Sequence, residues 1–194
     1  KERQVVLLGG ASIDGAPIPY VIVLAAVVVA LSFFPMSVIL ITGGSFPMSQ
    51  GILGLIGWVL GPVAGAVTSG IGALISIFLA PQTAGPIPAM RILGSVVASF
   101  AAGSMVVGNT RKRWWLIVWL IGLISLIIYL GRAIFSNGVG LWPAFAASFV
   151  DWSALILYLL PTRVLIARWI NNKNMGLVIL GLALGTWTVY GLSH

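Results

Sequence analysis

Residues 51–80 read GILGLIGWVLGPVAGAVTSGIGALISIFLA and carry no charge. Small residues recur in this run at three- and four-residue steps: Gly51, Gly54, Gly57, Gly61, Gly65, Ser69, Gly72, Ala73 and Ser76. Pro62 has no amide hydrogen and clashes with a preceding helical turn, so it breaks a helix or starts a new one. The run therefore predicts two helices with small faces, about 50–60 and 62–79, joined by a tight Gly61-Pro62 turn. Small faces let helix backbones approach closely in lipid, where packing replaces the hydrophobic drive. Such a pair belongs at the hub of a helical membrane bundle.

Composition takes the same direction. The chain is 60% hydrophobic and only 7% charged over 194 residues, with a mean hydropathy of +1.13. A soluble domain has about a quarter charged residues, and a single core of this size cannot hide so much apolar surface from water. The expectation is an integral membrane protein. There is no cysteine, and the one histidine is the terminal His194. Disulfides, thiolate sites and histidine-based metal or catalytic sets are therefore not expected. The +7 charge lies beside apolar spans and reads as a topology signal, not as a nucleic-acid surface. Residues 1–4 form a short polar lead with no small-residue cleavage site behind it, so no cleavable leader is expected.

Seven apolar spans are expected, at about 18–34, 50–60, 62–79, 89–107, 114–130, 142–160 and 175–192. Residues 35–50 contain Gly43, Gly44 and Pro47 but are too apolar for a solvated loop. They read equally as a partly buried loop over a cavity or as a short helix before Gly43. The 50–60 span is short of the about 20 residues that a full crossing needs. Residues 80–88 form a proline-glycine loop, 109–113 (NTRKR) a compact basic loop, and 162–174 a basic, polar segment. With the N-terminus inside and seven spans alternating, the inner segments hold Lys1, Arg3, Arg111, Lys112, Arg113, Arg163, Arg168 and Lys173, and the outer ones only Arg91 and Arg132. The positive-inside rule then puts the N-terminus in the cytoplasm and the C-terminus outside.

The order of these parts resembles the substrate-binding S-components of energy-coupling factor (ECF) vitamin transporters, over about residues 20–171. The residues that carry the resemblance are Ala26 and Ala30 as a small-xxx-small motif in the first span and the long apolar loop after it. They also include Leu60-Gly61-Pro62-Val63-Ala64-Gly65, similar to the family's GP-x-x-G turn, and a small-residue fourth span that ends near Arg111 to Arg113. The last is Asp151-Trp152 in the sixth span. The resemblance implies a six-helix S-component-like bundle at 18–171, preceded by an N-terminal segment at 1–17. An additional C-terminal membrane helix at 172–194 departs from the family pattern, as does the lack of a charge in the third helix. The implied function is high-affinity binding of a vitamin-like micronutrient from outside a prokaryotic cell. The implied partners are a transmembrane coupling subunit, met by the Ala26 and Ala30 face, and two ATPases. Toppling of the bundle in the membrane carries the ligand inward. The chain has no phosphate-loop motif of its own, no expected cofactor, and no residue set for catalysis.

Five side chains are candidates for ligand contact. Arg91, at the outer end of the fourth span, offers a fork of donors suited to a carboxylate or phosphate; the plain alternative is an arginine snorkelling to the interface. Asp151, about 13 Å along a helix that starts at Trp142, is the one acid deep in a span and is expected to face the bundle interior. It either contacts ligand or pairs with Arg91 or Arg132. Arg132 is the weaker candidate. Trp142 and Trp152 offer flat faces for a heterocycle, although tryptophan is also the usual interfacial residue. Gln82 and Asn137 sit on outer loops and carry little weight. The competing function is a structural or assembly subunit of a membrane complex, in which Arg91 and Asp151 serve only as internal glue.

Overall fold

The computed structural model describes residues 11–38, 45–81, 88–106, 113–159 and 162–193. The described residues are overwhelmingly helical. Before the first helix, short strands β1 (Ser12–Ile13) and β2 (Ala16–Pro17) close a turn at Asp14 and Gly15. Helix α1 (Ile18–Ser32) begins directly after Pro17. It leads into β3 (Pro35–Val38), which pairs antiparallel with β4 (Ser45–Pro47). The segment expected as a buried loop or a short helix is thus a hairpin, with Met48 N–H closing its base on Phe34 O at 2.8 Å. Its Gly43-Gly44 pair lies outside the described residues.

Helices α2 (Ser49–Leu60) and α3 (Pro62–Leu79) form the hub the sequence predicts. The turn between them is a single residue. Gly61 has φ +86°, a conformation that side chains disfavour, and Pro62 starts α3 with no amide to satisfy. Helix α4 (Pro88–Val106) packs against both, so closely that a Cβ on Gly57 would lie 2.1 Å from Ser99 O. Buried Leu53, Ile56, Ala64, Ala98, Ala101 and Ala102 fill the seam. Helix α1 covers the other side of α3 through Val28, which is buried.

The second half departs further from the expected spans. Helix α5 (Trp114–Gly131) ends in a π-turn, Arg132–Ser136. The expected sixth span is two helices, α6 (Leu141–Ala147) and α7 (Phe149–Tyr158), bent by 62°. Ser148 sits at the joint, and its hydroxyl bonds back to Ala144 O at 3.0 Å, which competes with the helical ladder and bends it. The polar segment expected at 162–174 holds another helix, α8 (Thr162–Ile170), with Arg163 and Ile166 on its buried face. Helix α9 (Met175–Ser193) packs against α4, α7 and α8.

Among the described residues, three helices are long and apolar enough to cross a membrane, or four if α6 and α7 form one bent span. Helices α1 and α2 are apolar but shorter, with 15 and 12 residues. The bundle has two distinct ends. The hairpin end gathers the end of α1, the starts of α2, α4 and α7, and the ends of α3 and α9. There, Ser193 O approaches Gly94, and Gly191 meets Val150 and Ala154. The turn end carries Gly61-Pro62 and the start of α8.

Candidate functional site

The hairpin end contains a buried polar cluster that four helices build. Helical spacing puts Ser32 on the last turn of α1, Ser49 on the first residue of α2 and Ser76 on the last turn of α3, and all three are buried. Ser32 Oγ lies 2.8 Å from Val28 O, 3.0 Å from Ser49 Oγ and 2.9 Å from Ser76 Oγ. Its one proton has three acceptors in reach, and a hydroxyl has only one to give. Arg91, from the first turn of α4, donates Nη2–H to the same Ser32 oxygen at 3.0 Å. Arg91 is therefore half-buried and turned into the bundle, rather than snorkelling outward from it. Further along α3 and α4, Ser69 and Ser99 share a hydroxyl–hydroxyl bond, and Ser99 also donates to Leu53 O at 2.8 Å. The small residues of the hub thus do two jobs. They allow close approach, and they carry the hydroxyls that satisfy one another inside it.

The other expected residues are more scattered. Asp151 is not in the middle of a span: the break at Ser148 puts it in the first turn of α7, where a helix N-terminus favours a carboxylate. It is partly buried, and the start of α7 packs on the end of α9, where Val150 and Ala154 meet Gly191. It therefore belongs to the same end of the bundle as Arg91. Trp152 donates its indole N–H to Phe145 O at 3.1 Å and meets Phe149 edge-on at 5.1 Å. Trp142 is 87% exposed on α6. Arg132 is exposed and lines a separate cleft with Asn137. Gln82 lies outside the described residues. Ala26 and Ala30 are exposed on one face of α1, whereas Ala25 and Val28 are buried on the other.

Sequence reasoning missed Arg163. It is only 4% exposed. Its Nη1 donates to Ser104 O at 3.1 Å and its guanidinium lies 4.7 Å over the Trp115 ring. Tyr158 stands beside it, fully buried, and donates its hydroxyl to Ala101 O at 3.0 Å. The available signal was the run Arg163, Ile166, Ala167 and Ile170, which keeps helical spacing with a cation at one apolar position.

Comparison of the chain with protein-family models, curated proteins and solved structures gives no match.

Proposed function

We propose that the chain is a membrane-embedded ligand-binding subunit of the S-component kind, which captures a vitamin-like micronutrient and delivers it with an ATP-driven coupling module. The observation that carries this reading is Arg91, held by Ser32 within a cluster of hydroxyls at the convergence of α1, α2, α3 and α4. A half-buried guanidinium among re-orientable hydroxyls suits a small molecule with a carboxylate or phosphate. The hairpin β3–β4 springs from the helix ends that carry Ser32 and Ser49, as a cover over such a site would.

The membrane placement follows from charge bias. The basic residues favour a cytoplasmic turn end, which sets the hairpin end outside and the C-terminus with it. Ligand then enters at the Arg91 end. Asp151, in the first turn of α7 at that end, is the second polar contact or the group that shapes the pocket. Ala26 and Ala30 are exposed on α1 and form a small-residue step between exposed Ile22, Val23 and Phe33; this face is the docking surface for the coupling subunit.

The first test is native mass spectrometry of the gently solubilised chain, with a search for a co-purified molecule and then a vitamin panel. The expected result is a stoichiometric ligand of a few hundred daltons that Arg91→Ala removes. Ala26→Trp with Ala30→Trp should leave that ligand bound and abolish uptake by cells that supply the coupling module. If no molecule binds from extract or panel, the assembly-subunit reading takes over. Its own support is that Ser32 already engages Arg91, as internal glue would.

A further inference from the structure

The end of α5 does not close as an ordinary helix. Asn137 N–H reaches back five residues to Arg132 O at 3.1 Å, and Val139 N–H reaches Ala133 O at 3.0 Å. Wide turns of this kind recur at functional sites because the extra residue re-aims side chains. Gly138, at φ +65°, then reverses the chain into α6. Between the last turns of α5, the π-turn and α6 lies a cleft of about 620 Å³.

Arg132, Asn137, Tyr129 and Ser125 supply its polar groups, and the rest of its lining is apolar, Ile128, Val139 and Ala147 among it. Ser125 precedes Arg132 by seven positions, about 10 Å along a helix. Among the described residues, the Arg132 guanidinium, the Asn137 amide and the Tyr129 hydroxyl make no hydrogen bond or ion pair. Beyond the cleft, α5 is apolar and almost bare. Only 6% of its spanning window is buried, and Ile121, Ile124 and Ile128 are exposed.

We propose that this cleft holds one anionic phospholipid. The phosphate sits against Arg132, with the Asn137 amide and the Tyr129 hydroxyl as further donors. An acyl chain follows the Ile128 wall onto the bare face of α5. A free anion satisfies the three donors but leaves the apolar lining and the outward face of α5 uncovered; an amphiphile with one charged end matches both the cation and the apolar surface beside it. The site is separate from the Arg91 cluster. It rests on the membrane placement of the bundle and not on the vitamin reading.

The test uses the full chain in nanodiscs of equal parts phosphatidylglycerol and phosphatidylcholine, with the lipids that stay bound counted by native mass spectrometry. One lipid per chain should remain, with phosphatidylglycerol preferred about fivefold or more, as a basic residue at a lipid surface implies. Arg132→Gln should bring the preference within twofold, and Ala147→Trp should expel the lipid. Arg168→Gln, at an exposed arginine on α8, should leave the preference intact. Millimolar glycerol phosphate should not compete. An unchanged preference in Arg132→Gln overturns the proposal, and so does competition by glycerol phosphate, which would make the cleft a free-anion site. A chain that fails to enter the discs overturns the membrane placement and the lipid site with it, while a vitamin ligand in solubilised protein would still be seen or not on its own.

Discussion

Two arginines enter the bundle from opposite ends, and their surroundings differ in kind. Arg163 is held by groups that cannot turn away: a helix carbonyl, Ser104 O, and the face of Trp115. Arg91 is held by a hydroxyl that already has three other polar atoms within 3.0 Å. A backbone carbonyl is fixed by its helix. A serine hydroxyl changes partner by rotating one bond. The first arrangement suits a permanent fastener between α4, α5 and α8. The second suits a cation that exchanges an internal partner for a ligand oxygen.

The largest expected effect tests the fastener. Arg163→Ala removes a hydrogen bond from a charged donor, a cation–π contact and the stem that fills the α8 seam. Together these are worth on the order of 3 kcal/mol. Reversible unfolding in mixed detergent micelles should show that loss, with ligand affinity unchanged in whatever protein stays folded. Arg91→Ala should do the reverse. Its Ser32 partner has replacement contacts, so stability should fall by about 1 kcal/mol, while ligand binding measured by titration is abolished. Equal losses of stability in the two variants would erase the distinction between the two arginines.

A smaller effect is expected from Tyr158→Phe. The ring stays in its buried slot, and the hydroxyl is lost with its bond to Ala101 O and its contact with the Ser104 side chain, at a cost of about 1 kcal/mol. Because Tyr158 stands beside Arg163, the double variant Tyr158→Phe with Arg163→Ala should fall short of the sum of the singles. Strict additivity in the same unfolding assay would mean that the turn end is two separate contacts rather than one fastener.

Much of the first half was legible because its rules are local. A proline after a glycine fixes the α2–α3 turn, and small residues at helical steps fix the hub. The second half was harder because the decisive groups look ordinary in sequence. Ser148 bends the expected sixth span by competing for Ala144 O, yet serine in an apolar run carries no mark of which carbonyl it will choose. That bend moved Asp151 from mid-span to a helix start. Arg163 was counted as one of several cytoplasmic cations, since charge bias reads its sign and not its direction. Arg91 was found as a candidate for its outer position, but its partner was not. Ser32, Ser49 and Ser76 lie on three separate helices, and only the packing of the small faces brings them to one point.

The smallest effect is the sharpest test of exchangeability, because it asks what the cluster does when its centre is removed. Ser32→Ala deletes the one oxygen common to Val28 O, Ser49, Ser76 and Arg91. In a rigid network this strands several buried polar groups at about 1–3 kcal/mol each. In an adaptable one, Ser76 keeps its bond to Gly72 O at 2.6 Å, Ser49 turns toward its neighbour, and Arg91 takes a water or a ligand oxygen. The net cost should then stay near 0.5 kcal/mol, at the low end for a single hydrogen bond. Ligand affinity should change by less than about threefold, since half a kcal/mol is worth little more than a factor of two. A loss above about 2 kcal/mol would show a stranded network. The hairpin end would then be a second fastener, and the two arginines would differ in depth but not in role.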